Sequence, residues 1–575
     1  MNYTTLRPNR ALASQPNHAT SSTLPLPARR DAICSLAATA FLVLLSGCDL
    51  RRPSSLDSES RGVLSSQLTD PADTYVAVPN WTDFTPSFDT QHVYVSYSSG
   101  NDSNNGFSQQ TAKRTIPAAV QLLRPNHPDW LHVKRGDAFP GPFGDWYLSG
   151  RSATEPMVVT TYGTSTARPL FQCGASDGLT VHSTAVSDVA FVGLHLDANT
   201  YNGGNGAPYG ISFLMPCTRV LVEDCKIERF FVNMRLQGWG GTHHDLKLRR
   251  SVIADAYTTG SAHAGGLYCE IVDGLLIEEC VFDHNGWRDN VPGAMATIYR
   301  HNIYVQDTTS NVVVRGNIIA RGGSHGLQAR SGGIVQNNFL LGNSINMHVG
   351  MSFSSTVAHV ASVIGNVILD GRNISASEPR GWGMTLQSLG SGEIANNVCA
   401  HNTNGYLPMS FDFDSGPGTG LSNLSFHDNV SYKWGGPVNM SSNRFSGIQL
   451  RNNTLQDFFG SEMIHANYGA LLPGINSSNN RFYTTLATNA WMFYNGQNMS
   501  LTTWKQLVND TTSIASQVAF PRPNETIVQY DLATGGSGSL DSFMSRARNQ
   551  SRLNWNSQLV GTNGAAYFRS NFGLP

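Results

Sequence analysis

The sequence predicts an all-β solenoid, a chain that winds short strands into stacked coils around one apolar lumen. Two observations predict it. The stretch from His301 to Gly350, HNIYVQDTTSNVVVRGNIIARGGSHGLQARSGGIVQNNFLLGNSINMHVG, repeats itself. Its segments VVVRGNIIA and GIVQNNFLL share a frame in which Asn precedes two apolar residues, and HNIYVQ, HGLQAR and INMHVG alternate apolar with polar. Period-two alternation means one buried and one wet face. A unit of that kind recurring about every two to three dozen residues builds a solenoid. The second observation is composition: 575 residues with 56 Gly, only 14% charged, and no long apolar run after residue 50. That balance suits a large, turn-rich, exported β protein. A net charge of -2 lacks the basic footprint that nucleic-acid binding needs.

The chain opens on targeting sequence. Arg29 and Arg30 precede the run LAATAFLVLLSG, which meets Cys48. Charge, then apolar run, then small residues is the secretory order, and the run is short for a spanning helix. Leu45-Ser46-Gly47-Cys48 resembles the bacterial lipobox. The resemblance implies that residues 1–48 are signal peptide and extension, and that Cys48 carries the lipid. It also implies a mature protein anchored in the bacterial cell envelope, with the membrane as one partner. Residues 49–90, rich in Ser, Asp, Pro and Thr without periodicity, read as a flexible tether.

The coil domain is expected over residues 91–485. It begins HVYVSYSSGNDSNNGFSQQTAKRTIPAAVQLL, a strand, a turn cluster and a short helix, followed by WLHVKRGDAF. This resembles the entry cap of right-handed parallel β-helix proteins of the pectate-lyase-like superfamily, which implies that fold here. A cap covers an apolar lumen and an unpaired edge that the first coil would otherwise expose. The following segments align on one position: Gly193, Cys225, Ser251, Cys280, Asn317, Asn338, Asn366, Asn397, Asn429, Asn453 and Asn480. Asn amides stacked at one turn can bond to the coils above and below, roughly 4.8 Å away. Beyond about residue 485 the repeat stops, MSLTTWKQLVN reads as a short helix, and residues 486–575 read as a segment covering the last coils. Export makes disulfides among Cys173, Cys217, Cys225, Cys269, Cys280 and Cys399 an option. Cys225 and Cys280 stand two coils apart, roughly 10 Å, too far to bridge, and read as small core residues.

One strand per coil supplies a polar outer face. Aligned on apolar positions, these strands give two outward columns. The first is Ser212, Arg235, Tyr268, Tyr304, Gln328, His348, Thr385 and Ser410. The second is Leu214, Gln237, Glu270, Gln306, Arg330, Gly350, Gln387 and Asp412, with His301 and His325 just ahead on adjacent coils. Polar residues face outward in any such solenoid. Here, however, aromatic, cationic, imidazole and carboxylate groups concentrate between residues 235 and 348, which marks a track for an extended polymer. The long turn DHNGWRDNVPGAMATIYRHN adds Trp287 and Arg288, since long solenoid turns collect on the binding face.

Within that superfamily, GLQARSGGIVQNNFLLGN resembles the alginate lyase and chondroitinase B family, where an Arg ending such a strand acts near the leaving oxygen. The resemblance assigns that role to Arg330. The family also places a Lys base on the preceding coil, where this chain has YVQDTTS. Its Ca²⁺-holding carboxylates reduce here to Glu270 and Asp307. The expected activity is a polysaccharide lyase acting on a uronate-containing polymer. β-Elimination needs a base, a cation for the carboxylate and a proton for the leaving oxygen. Arg235 and Arg330 are assigned to carboxylate binding, His301 or Tyr304 to the base and His325 to assistance. Tyr268, Glu270, Gln306, Gln328, His348, Trp287 and Arg288 are assigned to substrate binding. Tyr304 could serve as base if a neighbouring cation lowers its pKa. The alternatives are an inverting glycoside hydrolase using two of Asp283, Asp289, Glu270, Asp307 and Asp412, a uronate C5-epimerase, and a non-catalytic polysaccharide-binding lipoprotein. A monomer is expected.

Overall fold

A computed structural model describes residues 81–350, 357–402, 409–413, 419–440, 444–466 and 474–575. The Cys48 lipobox, the leader and the tether up to residue 80 lie outside the described residues. The fold is the expected right-handed parallel β-helix. Among the described residues three 14-stranded sheets run along the coils, and a regular coil contributes one strand to each. A typical coil passes from Ser310–Arg315 through Ile318–Ala320 to His301–Val305's neighbour His325–Ala329, and then into Gly332–Gln336. These three positions are called here the back sheet, the short-strand sheet and the groove sheet. Successive coils pair in parallel, as in Tyr268↔Tyr304 and Tyr304↔Gln328 of the groove sheet.

The alternation read from the sequence fills the lumen. Ile303, Val305, Leu327, Ala329, Met347 and Val349 are buried in one continuous core that runs the length of the coils. At the entry, the helix Ile116–Val120 buries Ile116, Ala119 and Val120 against that core, with Thr115 as its N-cap. At the far end, Trp504 of the helix Leu501–Leu507 is fully buried in the same core.

The asparagine column is present at the turn between the back and short-strand sheets. Asn317 Nδ2 donates to Asn338 Oδ1 at 2.9 Å, Asn338 to Asn366 at 2.9 Å, Asn366 to Asn397 at 3.0 Å and Asn397 to Asn429 at 3.0 Å. The series continues through Asn453 to Asn480. Each Oδ1 also accepts the backbone N–H of the Asn one coil earlier, as Asn366 does from Asn338 at 3.0 Å. Ser251 serves the same position, its Oγ accepting Cys225 N–H at 3.0 Å. The residue before each ladder member adopts positive φ, as at Glu279, Gly316, Asn337, Gly365 and Asn396. That conformation fixes one alignment. Lys226 pairs with His195, so Gly193 is the positive-φ residue (φ 79°) and Leu194 holds the ladder position, one residue from where the sequence alignment put it.

Residues 81–90, read from sequence as the end of a tether, are part of the folded body. Thr82 N–H and Oγ1 donate to the buried Glu223 carboxylate at 3.1 and 3.0 Å, and Phe84 packs edge-on against Trp130. The C-terminal segment runs back along the molecule rather than staying over the last coils. Helices Ile527–Ala533, Leu540–Arg548 and Gly561–Asn571 place Tyr530, Phe543, Met544, Ala565 and Phe568 over the outer face of the short-strand sheet, against Ile318, Phe339, Val367 and Val398. The six cysteines of the coil domain are all free and buried, so they pack as small apolar groups. No helix among the described residues is long and apolar enough to cross a membrane.

Candidate functional site

Among the described residues, the outer face of the groove sheet carries the aromatic, imidazole and cationic groups singled out in the sequence. Its first outward column runs Ser212, Arg235, Tyr268, Tyr304, Gln328, His348 and Thr385, in register strand by strand. The last step differs from the sequence alignment: Thr385 pairs with Asp412, so Asp412 ends the first column, while Ser410 is fully buried.

Counting by twos from Ile303 would put His301 in the lumen. The corner changes the phase. Asn302 turns inward, where its Nδ2 donates to Ala320 O at 2.8 Å and to Asn343 Oδ1 at 3.1 Å. Asn302 and Ile303 therefore both face inside, and His301 falls on the side of Tyr304, their rings 4.8 Å apart. Asn302 belongs to a second asparagine series, Asn233, Asn285, Asn302, Asn343 and Asn346, that braces this corner from coil to coil. Gly326 occupies the equivalent position one coil on, where a Cβ would lie 2.9 Å from the Asn343 amide.

The side chains on this floor form one connected network. Arg330 Nη1 donates to Gln306 Oε1 at 3.0 Å, and its guanidinium lies 4.9 Å over the Tyr304 ring. The Gln306 amide nitrogen donates in turn to the hydroxyls of Tyr304 at 3.1 Å and Tyr268 at 3.3 Å. The Tyr268 hydroxyl donates to Glu270 at 2.6 Å, and Gln237 also donates to Glu270. The Tyr304 oxygen thus accepts from Gln306, while its proton has no acceptor among the described residues. Burial pushes the Tyr304 phenol up; Arg330 pulls the other way but does not overcome it. Tyr304 is therefore protonated at neutral pH, which suits a donor rather than the base the sequence also allowed.

The histidines form a second row. His301 and His325 lie 4.8 Å apart, and His325 stacks on His348 at 5.6 Å. Ser324 Oγ sits 3.2 Å from His301 Nδ1 and 3.1 Å from His325 Nδ1. His348 Nε2 meets Gln387 Oε1 at 2.9 Å and so carries its proton on Nε2. Burial holds His301 and His325 well below the ordinary histidine range, and neighbouring positive charge from Arg330 adds to it in both. Both rings are neutral bases at pH 7.

Two coils toward the entry, Arg235 is held by Ser212 Oγ through Nε at 3.0 Å and Nη2 at 2.8 Å. Its guanidinium lies 3.5 Å over Tyr209 and 5.6 Å from Trp239, a residue 61% exposed. Trp287 and Arg288, expected on this face, lie on the turn side instead. Trp287 donates to Arg321 O at 2.8 Å, and its ring is taken by His284 at 4.2 Å and by the Arg372 guanidinium at 4.2 Å. Arg288 covers Tyr257. Trp287 is thus held at the turn's own base by a carbonyl, an imidazole and a guanidinium.

No protein-family model matches the chain, and no curated protein matches it. Among solved structures it is similar to a GH136 lacto-N-biosidase from Eubacterium ramulus, at 16% identity over 74% of this chain and 67% of that one, TM-score 0.33. It is likewise similar to a rhamnogalacturonan lyase (14% identity, 68% of this chain and 87% of that one, TM-score 0.37). A third likeness is to a surface adhesin of Streptococcus pneumoniae (11%, 66% and 86%, TM-score 0.32). At such values the likeness is one of coil architecture, and chemistry must be read from the residues.

For metal, the described residues offer one group of three or more ligands within reach of each other: His195, Asp197 and Glu228 on the short-strand sheet. All three are engaged: Glu228 with His195 at 2.8 Å and Lys226 at 3.0 Å, Asp197 with Arg229. Glu270 and Asp307 do not join such a group among the described residues. Sequence reasoning missed Ser324, Tyr209 and Trp239, and placed Ser212 in the column without a role. Of these only Trp239, one strand-length past Arg235, carried a signal of its own, as an aromatic beside two glycines.

Proposed function

We propose that the protein is a polysaccharide lyase that binds a uronate-containing polymer along the groove sheet and cleaves it by β-elimination. The observation that carries the reading is that a cation, neutral imidazoles and a phenol with an uncommitted proton stand on adjacent coils, within about one coil spacing of roughly 4.8 Å of each other. Arg330 binds the uronate carboxylate and stabilises the enolate-like charge that builds on it. His301 Nε2 takes the proton from the carbon next to the carboxylate. The electron pair forms the new carbon–carbon double bond as the bond to the glycosidic oxygen breaks. Tyr304 gives its proton to that oxygen. His325 and Gln328 line the same floor, and Arg235 with Trp239 offers a further carboxylate and sugar-ring contact along the track.

The placement of Asp283 and the separation of Glu270 from Asp412 weigh against an inverting hydrolase using those residues. Asp283 is fully buried and paired with both Arg321 and Arg548 beneath the C-terminal helices. Glu270 and Asp412 are five coils apart, roughly 24 Å at the coil spacing, against the about 6.5–9.5 Å that an inverting pair needs. The Cys48 lipobox further supports a proposed lipid anchor in the cell envelope.

The test is to incubate the purified protein with a panel of acidic and neutral polysaccharides. Unsaturated product, read as new ultraviolet absorbance with new reducing ends, is the expected outcome. New reducing ends without absorbance would replace the lyase with a hydrolase, and binding without either would replace it with an adhesin.

A further inference from the structure

We propose that Ser324 is a positioning residue that sets the same tautomer on two histidines at once, placing the single ring proton of both His301 and His325 on Nδ1 and leaving both Nε2 atoms as acceptors for a substrate proton. The inference rests on the reading of these histidines as bases.

The argument is one of hydrogen-bond supply. Ser324 is fully buried and has one proton to give. Four polar atoms surround its Oγ: Ile298 O at 2.9 Å, Arg300 O at 3.0 Å, His301 Nδ1 at 3.2 Å and His325 Nδ1 at 3.1 Å. The two carbonyls can only accept. If the serine proton went to either histidine, both carbonyls would face lone pairs of Oγ at close range inside a buried corner, which is costly. If it goes to a carbonyl, the remaining lone pairs of Oγ call for donors, and each Nδ1–H supplies one. With the proton on Ile298 O, Arg300 O still accepts the Ser324 backbone N–H at 2.6 Å, so both carbonyls and both Nδ1–H groups have partners. The Nε2 atoms of His301 and His325 carry no hydrogen bond among the described residues, so nothing opposes this assignment.

The corner itself supplies a comparison. His325 pairs with Ile345, so Ser344 occupies on the next coil the position Ser324 holds here. Ser344 Oγ is buried and bonds to nothing among the described residues. The serine is thus a recurrent corner residue, and the presence of two imidazoles gives Ser324 its role. His348, the third ring of the row, has the opposite tautomer because Gln387 accepts from its Nε2. One row therefore mixes a proton-donating Nε2 with two proton-accepting ones, an order that side-chain identity alone does not set.

The tautomers are read directly by ¹⁵N resonance of ring nitrogens in histidine-labelled full-length protein, with His301→Gln and His325→Gln to assign the signals. In the unmodified protein both rings are expected as Nδ1–H; Nε2–H on either overturns the proposal, and this reading needs no serine variant to fold. Ser324→Ala is expected to shift one or both rings toward Nε2–H, and Ser344→Ala to shift neither. Unchanged rings in Ser324→Ala overturn it. With an acidic polysaccharide that is turned over, Ser324→Ala is expected to lower kcat about tenfold or more with KM within about twofold, because the base and not the binding contact is affected. Should no polymer be cleaved, the resonance result still stands or falls alone, which separates a failure of this inference from a failure of the lyase reading.

Discussion

Replacing Asn366 by Ala removes one member of the turn ladder at mid-stack, and the structure allows its cost to be worked out group by group. Asn366 is fully buried. Its Oδ1 accepts two protons, from Asn338 N–H at 3.0 Å and Asn338 Nδ2 at 2.9 Å; its Nδ2 donates to Val335 O at 2.9 Å and to Asn397 Oδ1 at 3.0 Å. Alanine leaves the Asn338 amide N–H without an acceptor and strips one bond from the Asn338 side chain. An orphaned buried donor costs about 1–3 kcal/mol, so the pair of losses gives about 3 kcal/mol. Asn366→Ser should cost about half as much, because Ser251 shows that a hydroxyl at this position can accept the backbone N–H of the coil before it. Asn205→Ala, at an exposed turn residue, should cost less than about 0.5 kcal/mol. Urea unfolding compared at a common m-value ranks the three, and hydrogen exchange at the Asn338 amide reports the local effect. Equal midpoints for Asn366→Ala and Asn205→Ala, with Asn338 still protected, would refute the ladder as a source of stability.

Four further outcomes follow from the site and the chain. Arg330→Lys should keep the fold but lower turnover about a hundredfold, because an ammonium cannot hold a carboxylate by two parallel bonds; activity on the cleaved polymer within a few-fold of the parent would move the site elsewhere on the floor. Tyr304→Phe should lower kcat by about 10²-fold or more with a small change in melting, since the hydroxyl's one described bond is to Gln306; a purely KM effect would make Tyr304 a binding residue. Stability should fall on acidification: burial lowers His243 to about 4, so the unfolded chain binds the extra proton below about 6.5, and the stability present above that pH is lost as the pH falls toward 4. At pH 5 the loss from this fully buried ring is about 2 kcal/mol, and His243→Gln should flatten the difference between melts at pH 7.5 and 5 by that amount. Cys48→Ser should release the protein from the membrane fraction with the coil domain folded, and continued membrane association would dismiss the lipobox.

How far the sequence could be read depends on whether a feature repeats in a fixed frame. The turn ladder does: from Asn317 on, an Asn stands in one place ahead of each short strand, and the structure finds each of them bonded to the next. Where the side chain is lost the frame slips, as at Gly193, because a glycine marks the positive-φ site and says nothing of the residue that follows it. The groove columns were legible for the same reason, and slipped by two residues at Ser410 and Asp412, where the alternation of MSFDF fits either register. The opposite corner follows no such frame. Its asparagines, Asn233, Asn285, Asn302, Asn343 and Asn346, reach one another across turns of very different length, so no spacing announces them. Yet this corner sets which side chains reach the floor of the groove sheet. By turning inward, Asn302 sends His301 outward, and Ser324 meets both histidines because two such corners lie one coil apart. A solenoid thus writes its fold in the regular turn, where every coil must agree with its neighbours, and its site in the irregular one, where each coil is free to differ.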